Sequence, residues 1–224
     1  MNDVNTPADR AARPYHHGHL REEMLRIAVE LAAEGGPSAI ALREVARRAG
    51  VTPSAAYRHF SGQEDLVAAV RAETLRQLSA SMAAAVAAAQ ALPGQSALES
   101  RILAAGRGYF AFATTSQMLF RSLSSGFALP VEEVGESSDG PFDLLLELVQ
   151  RWLAVESPVD PAGEPGAGYG EAAFADAVAL WSSVHGLSVL CTSGALLDLP
   201  RARQQELLET TLAISVRGLS RSPR

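Results

Sequence analysis

Residues 42–60 read LREVARRAGVTPSAAYRHF and contain the signals for two short helices joined by a tight turn. Apolar residues recur at helical spacing in the first half, and Gly50 follows where the left-handed backbone that ends a helix costs least. In the second half, Thr52 is a good N-cap and Pro53 suits the first helical position. These proportions are typical of a helix-turn-helix, which inserts its second helix into the DNA major groove, although the spacing alone also fits an ordinary three-helix cluster.

The flanking segments are also predicted to be helical. Upstream, an amphipathic helix ends at the Gly-Gly-Pro of residues 35–37, and its apolar face consists of Leu20, Met24, Ile27, Ala28 and Leu31. Downstream, Ser61 and Glu64 have the spacing of a capping box, which opens a long helix towards Ala91. Further helices are predicted near 96–113, 115–124, 141–156, 171–192 and 201–219, and loops at 126–140 and 157–170. Because strand-like alternation is rare, we expect an all-α fold.

The charge of the chain is unevenly distributed. A net charge of −6 over 224 residues argues by itself against a nucleic-acid partner. Residues 1–62, however, carry eight Arg against seven acidic residues, whereas the remainder carries 11 Arg against 18. The acidity therefore belongs to the larger, C-terminal part, and a near-neutral N-terminal part remains compatible with DNA.

Composition also bears on the compartment. Cys191 is the only cysteine, so no internal disulfide is possible. The N-terminus has no signal-peptide pattern, and we expect no run of apolar residues long enough to span a bilayer. These observations favour a cytoplasmic protein without a membrane partner.

Four stretches together carry a family resemblance. They are residues 15–21, which include His16, His17 and His19, residues 42–51, residues 56–60 and residues 64–66. Together they resemble the DNA-binding domain of the tetracycline-repressor (TetR) family. The resemblance implies a homodimer whose heads enter successive major grooves and whose bodies bind a small molecule that releases DNA.

The resemblance also implies a division of the chain and a set of contacts with double-stranded DNA. The expected parts are a flexible arm (1–14), a three-helix head (15–62, motif about 41–60), a connecting helix (63–92) and a ligand-binding and dimerisation body (93–224). Backbone phosphates are expected at Tyr57 and His59, and phosphates or base edges at Arg43, Thr52, Pro53, Ser54 and Ala55. This agrees with the attraction of phosphate to a helix N-terminus.

Two further head positions leave alternatives open. Arg58 has the reach for a guanine edge, but a solvated side chain or an ion pair within the protein fits equally well. Gln63 stands where the family usually has Lys, so we expect a weaker phosphate contact and a salt dependence shallower by about one ion per head.

The histidines at the N-terminus raise the question of a metal site. His16, His17 and His19 are of a ligand type, but no Cys or carboxylate lies at convincing ligand spacing nearby. We therefore expect no metal and no cofactor, and we expect an arm that reaches DNA. Deleting residues 1–17 should then weaken operator binding without affecting dimerisation.

In the expected body, Trp181 and His185 lie one helical turn apart within a segment that resembles the Trp-His-Gly class of TetR C-terminal domains. Ligand contact and plain core packing are both open for this pair. The ligand-binding candidates are Tyr109, Phe112, Phe120, Phe142, Trp152, Trp181 and His185. Dimerisation is expected through helices 171–192 and 201–219, whose many apolar residues need a partner.

An enzyme is not indicated. Cys191, His185 and Asp198 match no nucleophilic motif, and no Gly-x-Ser-x-Gly elbow is present. Two hypotheses remain, a ligand-responsive DNA-binding repressor and a helical scaffold that has lost DNA binding. In the first hypothesis, a bound ligand favours a body conformation in which the connecting helices hold the two heads at the wrong separation for DNA. Successive major grooves lie about 34 Å apart.

Overall fold

A computed structural model describes residues 19–124, 140–156 and 167–219 of the chain. Every regular element within these ranges is helical, so the predicted all-α fold is confirmed. A short 3₁₀ helix, Pro37–Ala39, follows the first of the α-helices. The α-helices are α1 Leu20–Gly35, α2 Leu42–Arg48, α3 Pro53–Ala56, α4 Gln63–Ala88, α5 Ala97–Thr115, α6 Gln117–Ser124, α7 Pro141–Glu156, α8 Ala167–Ser193 and α9 Arg201–Leu219. The arm, residues 125–139 and residues 157–166 lie outside the described ranges.

The head forms one small core from α1, α2, α3 and the start of α4. The predicted apolar face of α1 is buried, and Phe60 is completely inaccessible to solvent. The guanidinium of Arg21 lies over the Phe60 ring, 4.7 Å from its centroid, and closes one edge of this core.

The turn between α2 and α3 forms as the sequence predicts. Gly50 has φ 70°, and the Val51 N–H donates to the Ala46 carbonyl over 3.0 Å. The Thr52 hydroxyl accepts from the Ala55 N–H at 3.2 Å, which caps α3. Helix α3 has only four residues, and hydrogen-bonded turns continue from it to Phe60.

The start of α4 differs from the sequence prediction, which had Ser61 as the cap. Gly62 occupies the N-cap position instead, so the helix begins one residue later. Asp65, not Glu64, therefore stands three residues into the helix and accepts from both the N–H and the hydroxyl of Ser61, at 2.8 and 3.2 Å. The capping box with Glu64 was wrong by one residue. Helix α4 also ends at Ala88, before the predicted Ala91.

Helix α5 is the centre of the body and packs against α4, α6, α7, α8 and α9. Its closest approach to α4 is at Gly108, where an added Cβ would lie 2.7 Å from the Ser81 carbonyl oxygen and 2.8 Å from the Met82 Cα. The Ser81 hydroxyl donates to the Gly108 carbonyl over 2.9 Å. A side chain at residue 108 would therefore push the connecting helix away.

Helix α8 is exceptionally apolar. Its segment Gly170–Ser193, 24 residues that include an 18-residue stretch of mean hydropathy 1.4, is long and apolar enough to cross a membrane by length and composition. The expectation that no such run exists was therefore wrong, because the chain carries no charged residue between Asp176 and Asp198. In the fold the helix buries Leu180 and Val184 and packs against α5, α7 and α9, and a core helix passes the same test.

Candidate DNA-binding surface and candidate ligand site

The N-terminus of α3 is open to solvent. Thr52, Pro53 and Ser54 are exposed, and Ala55 is half-buried behind them. Tyr57 is 52% exposed although it is a large aromatic residue. His59 is half-buried beside it. An exposed aromatic ring and exposed hydroxyl groups at a helix start form a surface that can receive a phosphate.

The arginines of the head fall into two groups. Arg47 and Arg48 both pair with Glu44, at 2.7 and 3.0 Å, and these two guanidinium groups lower the pKa of Glu44 to about 2. Arg43 and Arg58 are exposed, and neither has an ion-pair partner in the part of the chain that the structure describes. The intraprotein ion pair that was one alternative for Arg58 is therefore not formed there. Both guanidinium groups are available to an external anion.

Gln63 has a role that the sequence did not reveal. Its Oε1 accepts from the Leu42 N–H at 3.1 Å, and its Nε2 donates to the Ile40 carbonyl. The side-chain amide thus caps the start of α2, whose N-cap residue, Ala41, has no side chain for the purpose. The expected phosphate contact at Gln63 stays a prediction, and it would have to be made by the second N–H of Nε2.

Of the three N-terminal histidines, only His19 lies among the described residues. His16 and His17 lie outside the described residues. His19 is exposed at the start of α1, with its Nδ1 2.9 Å from a carboxylate oxygen of Glu22. Within the described ranges, no group of three or more Cys, His, Asp or Glu could hold a metal ion.

Most of the ligand-binding candidates meet in one aromatic cluster, defined as Tyr109, Phe120, Phe142, Trp181 and His185. The rings of Tyr109 and Trp181 are closest, with centroids 4.8 Å apart in an edge-to-face arrangement. Phe142 packs on Trp181 at 5.7 Å, and Phe120 on His185 at 5.8 Å.

The other two candidates stand apart from the aromatic cluster. Phe112 is 6% exposed and Trp152 is 8% exposed, so both are buried. Neither ring makes an aromatic contact with the cluster within the described residues. Their burial is that of core side chains.

One hydrogen bond links two members of the aromatic cluster. The Tyr109 hydroxyl lies 2.7 Å from Nδ1 of His185. Burial raises the pKa of Tyr109 and lowers the pKa of His185, so both side chains are neutral near pH 7. A neutral imidazole carries its proton on one nitrogen only, and we assign it to Nε2, so that the Tyr109 hydroxyl donates and Nδ1 accepts.

Two small voids flank the Tyr109 and Trp181 rings, which line both of them. Each void holds about 10 Å³, close to the space of a single water molecule. The first, void 1, is otherwise lined by Met82, Gly106, Leu145, Leu180 and Val184. The second, void 2, is otherwise lined by Leu75, Leu78, Phe120, Leu123 and His185.

Two protein-family models match the chain. The model for bacterial regulatory proteins of the TetR family matches residues 24–70, and a model for a tetracycline-repressor-like C-terminal domain matches residues 102–214, just over half of the chain. The chain belongs to the TetR family. Its head is thus the DNA-binding domain of a transcription regulator, and the family is regulatory, not enzymatic.

Solved structures support this TetR fold over nearly the whole chain. A protein of unknown function from Rhodococcus sp. RHA1 is 25% identical, with a TM-score of 0.71, and the match covers 94% of this chain and 100% of that one. A TetR family transcription regulator from Marinobacter aquaeolei VT8 has 16% identity, a TM-score of 0.56 and coverages of 88% and 95%. The TetR family regulator PfmR from Thermus thermophilus has 17% identity, a TM-score of 0.54 and coverages of 88% and 99%. No curated protein is significantly similar in sequence.

Proposed function

We propose that this TetR family member is a cytoplasmic homodimeric repressor that a small molecule releases from its operator, without a cofactor or catalysis. The observation that carries the proposal is the exposed start of α3, flanked by two arginines, Arg43 and Arg58, that lack an ion-pair partner within the described residues. A phosphate or a guanine edge binds to a cation that no carboxylate of the protein already neutralises. Thr52, Ser54, Tyr57 and His59 would add hydrogen bonds around them.

The test of DNA binding uses a matched pair of arginines on one helix. Arg43→Ala removes an unpaired charge, whereas Arg47→Ala removes one that Glu44 already neutralises. Titrated against the DNA upstream of its own gene at two salt concentrations, Arg43→Ala should lose about tenfold in affinity and reduce the salt slope by about one ion per head. Arg47→Ala should lose much less. Equal losses would contradict the assigned surface, and no salt-sensitive, sequence-preferring binding by the wild type would favour the scaffold hypothesis.

We infer a dimer through α8 and α9 from residues that this protomer leaves uncovered. Leu190 and Ile214 are 44% and 60% exposed. Gly186 lies one turn before Leu190, and a Cβ added there would meet no atom within 4 Å. No contact within the described protomer requires glycine at this position. The close approach of α8 from a second copy would require it, because it would leave no room for a side chain.

The dimer is tested by adding bulk at this position. Gly186→Leu should turn the dimer into a monomer in size-exclusion chromatography while far-ultraviolet circular dichroism stays unchanged. The control is Gly170→Leu, near the start of the same helix, where an added Cβ also meets nothing. A Gly186→Leu protein that remains dimeric would remove this face from the interface.

The effector is proposed to act on α4, the helix that connects head and body. Leu75 and Leu78 line void 2 and Met82 lines void 1, so α4 forms a wall of both. A ligand lodged there would favour an α4 position that sets the heads at an unsuitable separation. The nearby Trp181 and His185 are consistent with a body of the Trp-His-Gly class. A ligand that binds but leaves the DNA affinity unchanged would contradict this coupling.

A further inference from the structure

Void 1 and void 2 have two lining residues in common, Tyr109 and Trp181. We propose that the effector site is a cryptic pocket that opens when these rings move apart and join the two voids. Its ligand is an uncharged, mainly apolar aromatic molecule with one hydrogen-bonding group. The inference deepens the proposed function, because it assumes the ligand-responsive body and names the ligand's chemistry.

The voids cannot receive a ligand as they stand. Each holds about 10 Å³, whereas sites for small molecules usually measure about 300–1,000 Å³. Trp181 is only 7% exposed and packs edge-to-face against both Tyr109 and Phe142. A ligand must therefore displace large rings, and an aromatic ligand can replace the ring contacts that opening removes.

The bond between Tyr109 and His185 acts as a latch on this pocket. It spans 2.7 Å, and Tyr109 is 4% exposed, so water cannot easily replace the lost partner when the rings separate. A ligand that accepts from the Tyr109 hydroxyl, or donates to Nδ1 of His185, restores that bond. A phenolic hydroxyl does both and fits a largely apolar pocket.

The lining of the two voids sets the charge of the ligand. At neutral pH none of the twelve residues that line them carries a formal charge. Burial keeps His185 neutral, which removes the one cation that a carboxylate ligand would need. An ionised group buried without a partner costs a great deal, so an anion or a cation of the same size should be excluded.

The test uses 4-ethylphenol as the probe, ethylbenzene as its hydroxyl-free match and 4-ethylbenzoate as its charged match. Trp152→Phe leaves Trp181 as the only tryptophan, and its emission, excited where phenols do not absorb, reports on the pocket. We expect a saturable emission change with 4-ethylphenol and a dissociation constant at least about tenfold higher for 4-ethylbenzoate. No saturable change, or equal binding of the benzoate, would overturn the inference.

The latch is tested by Tyr109→Phe, which keeps the ring and removes the hydroxyl, in the Trp152→Phe background. Its preference for 4-ethylphenol over ethylbenzene should shrink several-fold, because the ring can separate without losing a bond. The control is Tyr57→Phe on the head, which should keep the wild-type preference. A preference unchanged in Tyr109→Phe would contradict the latch, and calorimetry on the wild-type protein checks that Trp152→Phe has not created the site.

Direct binding separates this inference from the function on which it rests. DNA affinity is measured with and without saturating 4-ethylphenol. A probe that binds beside Trp181 without weakening DNA binding would support the pocket and contradict release by ligand. Intact DNA binding with no probe bound would contradict the pocket and leave DNA recognition standing.

Discussion

The head and the body hold their candidate sites in opposite states. On the head, Tyr57 is 52% exposed and the guanidinium groups of Arg43 and Arg58 face solvent without an ion pair among the described residues. In the body, Tyr109 and Trp181 are 4% and 7% exposed, and both rings pack against other aromatic residues. The proposed DNA-binding surface is thus preformed, whereas the proposed ligand site has to be created from a closed core.

This difference has an energetic consequence for regulation. A preformed surface loses little conformational freedom on binding, so its affinity depends mainly on charge and on the spacing of the two heads. A site that is open only in a minor state binds its ligand with an affinity lowered by the population of that state. In the proposed mechanism, the opening of the pocket lowers the ligand affinity and also moves α4, which forms one of its walls. Because α4 connects the body to the head, a bound ligand thereby changes the position of the head.

The largest predicted effect tests how closely the body is packed. Gly108→Ala should lower the free energy of unfolding by about 3 kcal/mol, because the new Cβ would lie within 3 Å of backbone atoms of Ser81 and Met82. Gly170→Ala is the control, since its Cβ meets no atom of the described residues within 4 Å and alanine favours a helix by about 1 kcal/mol. Urea denaturation measures both. If Gly108→Ala is as stable as the wild type, α4 and α5 pack less tightly at this point than the distances indicate. The contrast between a closed body and an open head surface is then weaker.

The sequence predicted the local features of both regions and missed those that depend on distant residues. The α2–α3 turn follows from Gly50 and Thr52, because a left-handed residue and an N-cap act on their immediate neighbours. The family resemblance carried the division into head and body, which no local rule contains. The bond between Tyr109 and His185 joins residues 76 positions apart, and it depends on how α5 packs on α8. The same holds for the voids, whose size is set by helix packing.

Gln63 shows this limit most clearly, and it gives the second prediction. A family pattern suggested a phosphate contact but not the bond by which the amide caps α2 from 21 residues away. Gln63→Ala should cost about 1–2 kcal/mol of stability, because it leaves the Leu42 N–H without its acceptor in a half-buried place. Gln205→Ala, which removes an exposed amide bonded to Glu209, should change stability by no more than about 0.5 kcal/mol. Equal effects of the two changes would show that Gln63 does not hold the head together.

The smallest predicted effect concerns the hydrogen bond between Tyr109 and His185 in the aromatic cluster. Because His185 titrates, the closed state of the body depends on pH. Burial lowers the folded-state pKa of His185 below its usual 6.5, so below that value the unfolded chain binds more protons than the folded one. This contribution to stability is complete above pH 6.5 and declines as the pH falls towards the lowered pKa. The loss between pH 7 and pH 5.5 should be less than about 1 kcal/mol, because the half-buried ring retains some contact with water.

Urea denaturation of the wild type and of His185→Gln at both pH values isolates this term, since Gln does not titrate and the carboxylates remain ionised in both proteins. The pH dependence of the wild type should exceed that of His185→Gln. In the Trp152→Phe background, the emission change of Trp181 on adding 4-ethylphenol should rise over the same pH range. Protonated His185 can no longer accept from Tyr109 and can only donate to its hydroxyl oxygen, so acid removes the present bond and should loosen the latch. Identical pH profiles for the two proteins would mean that the link between the two side chains does not hold the cluster closed, and that ring packing alone does.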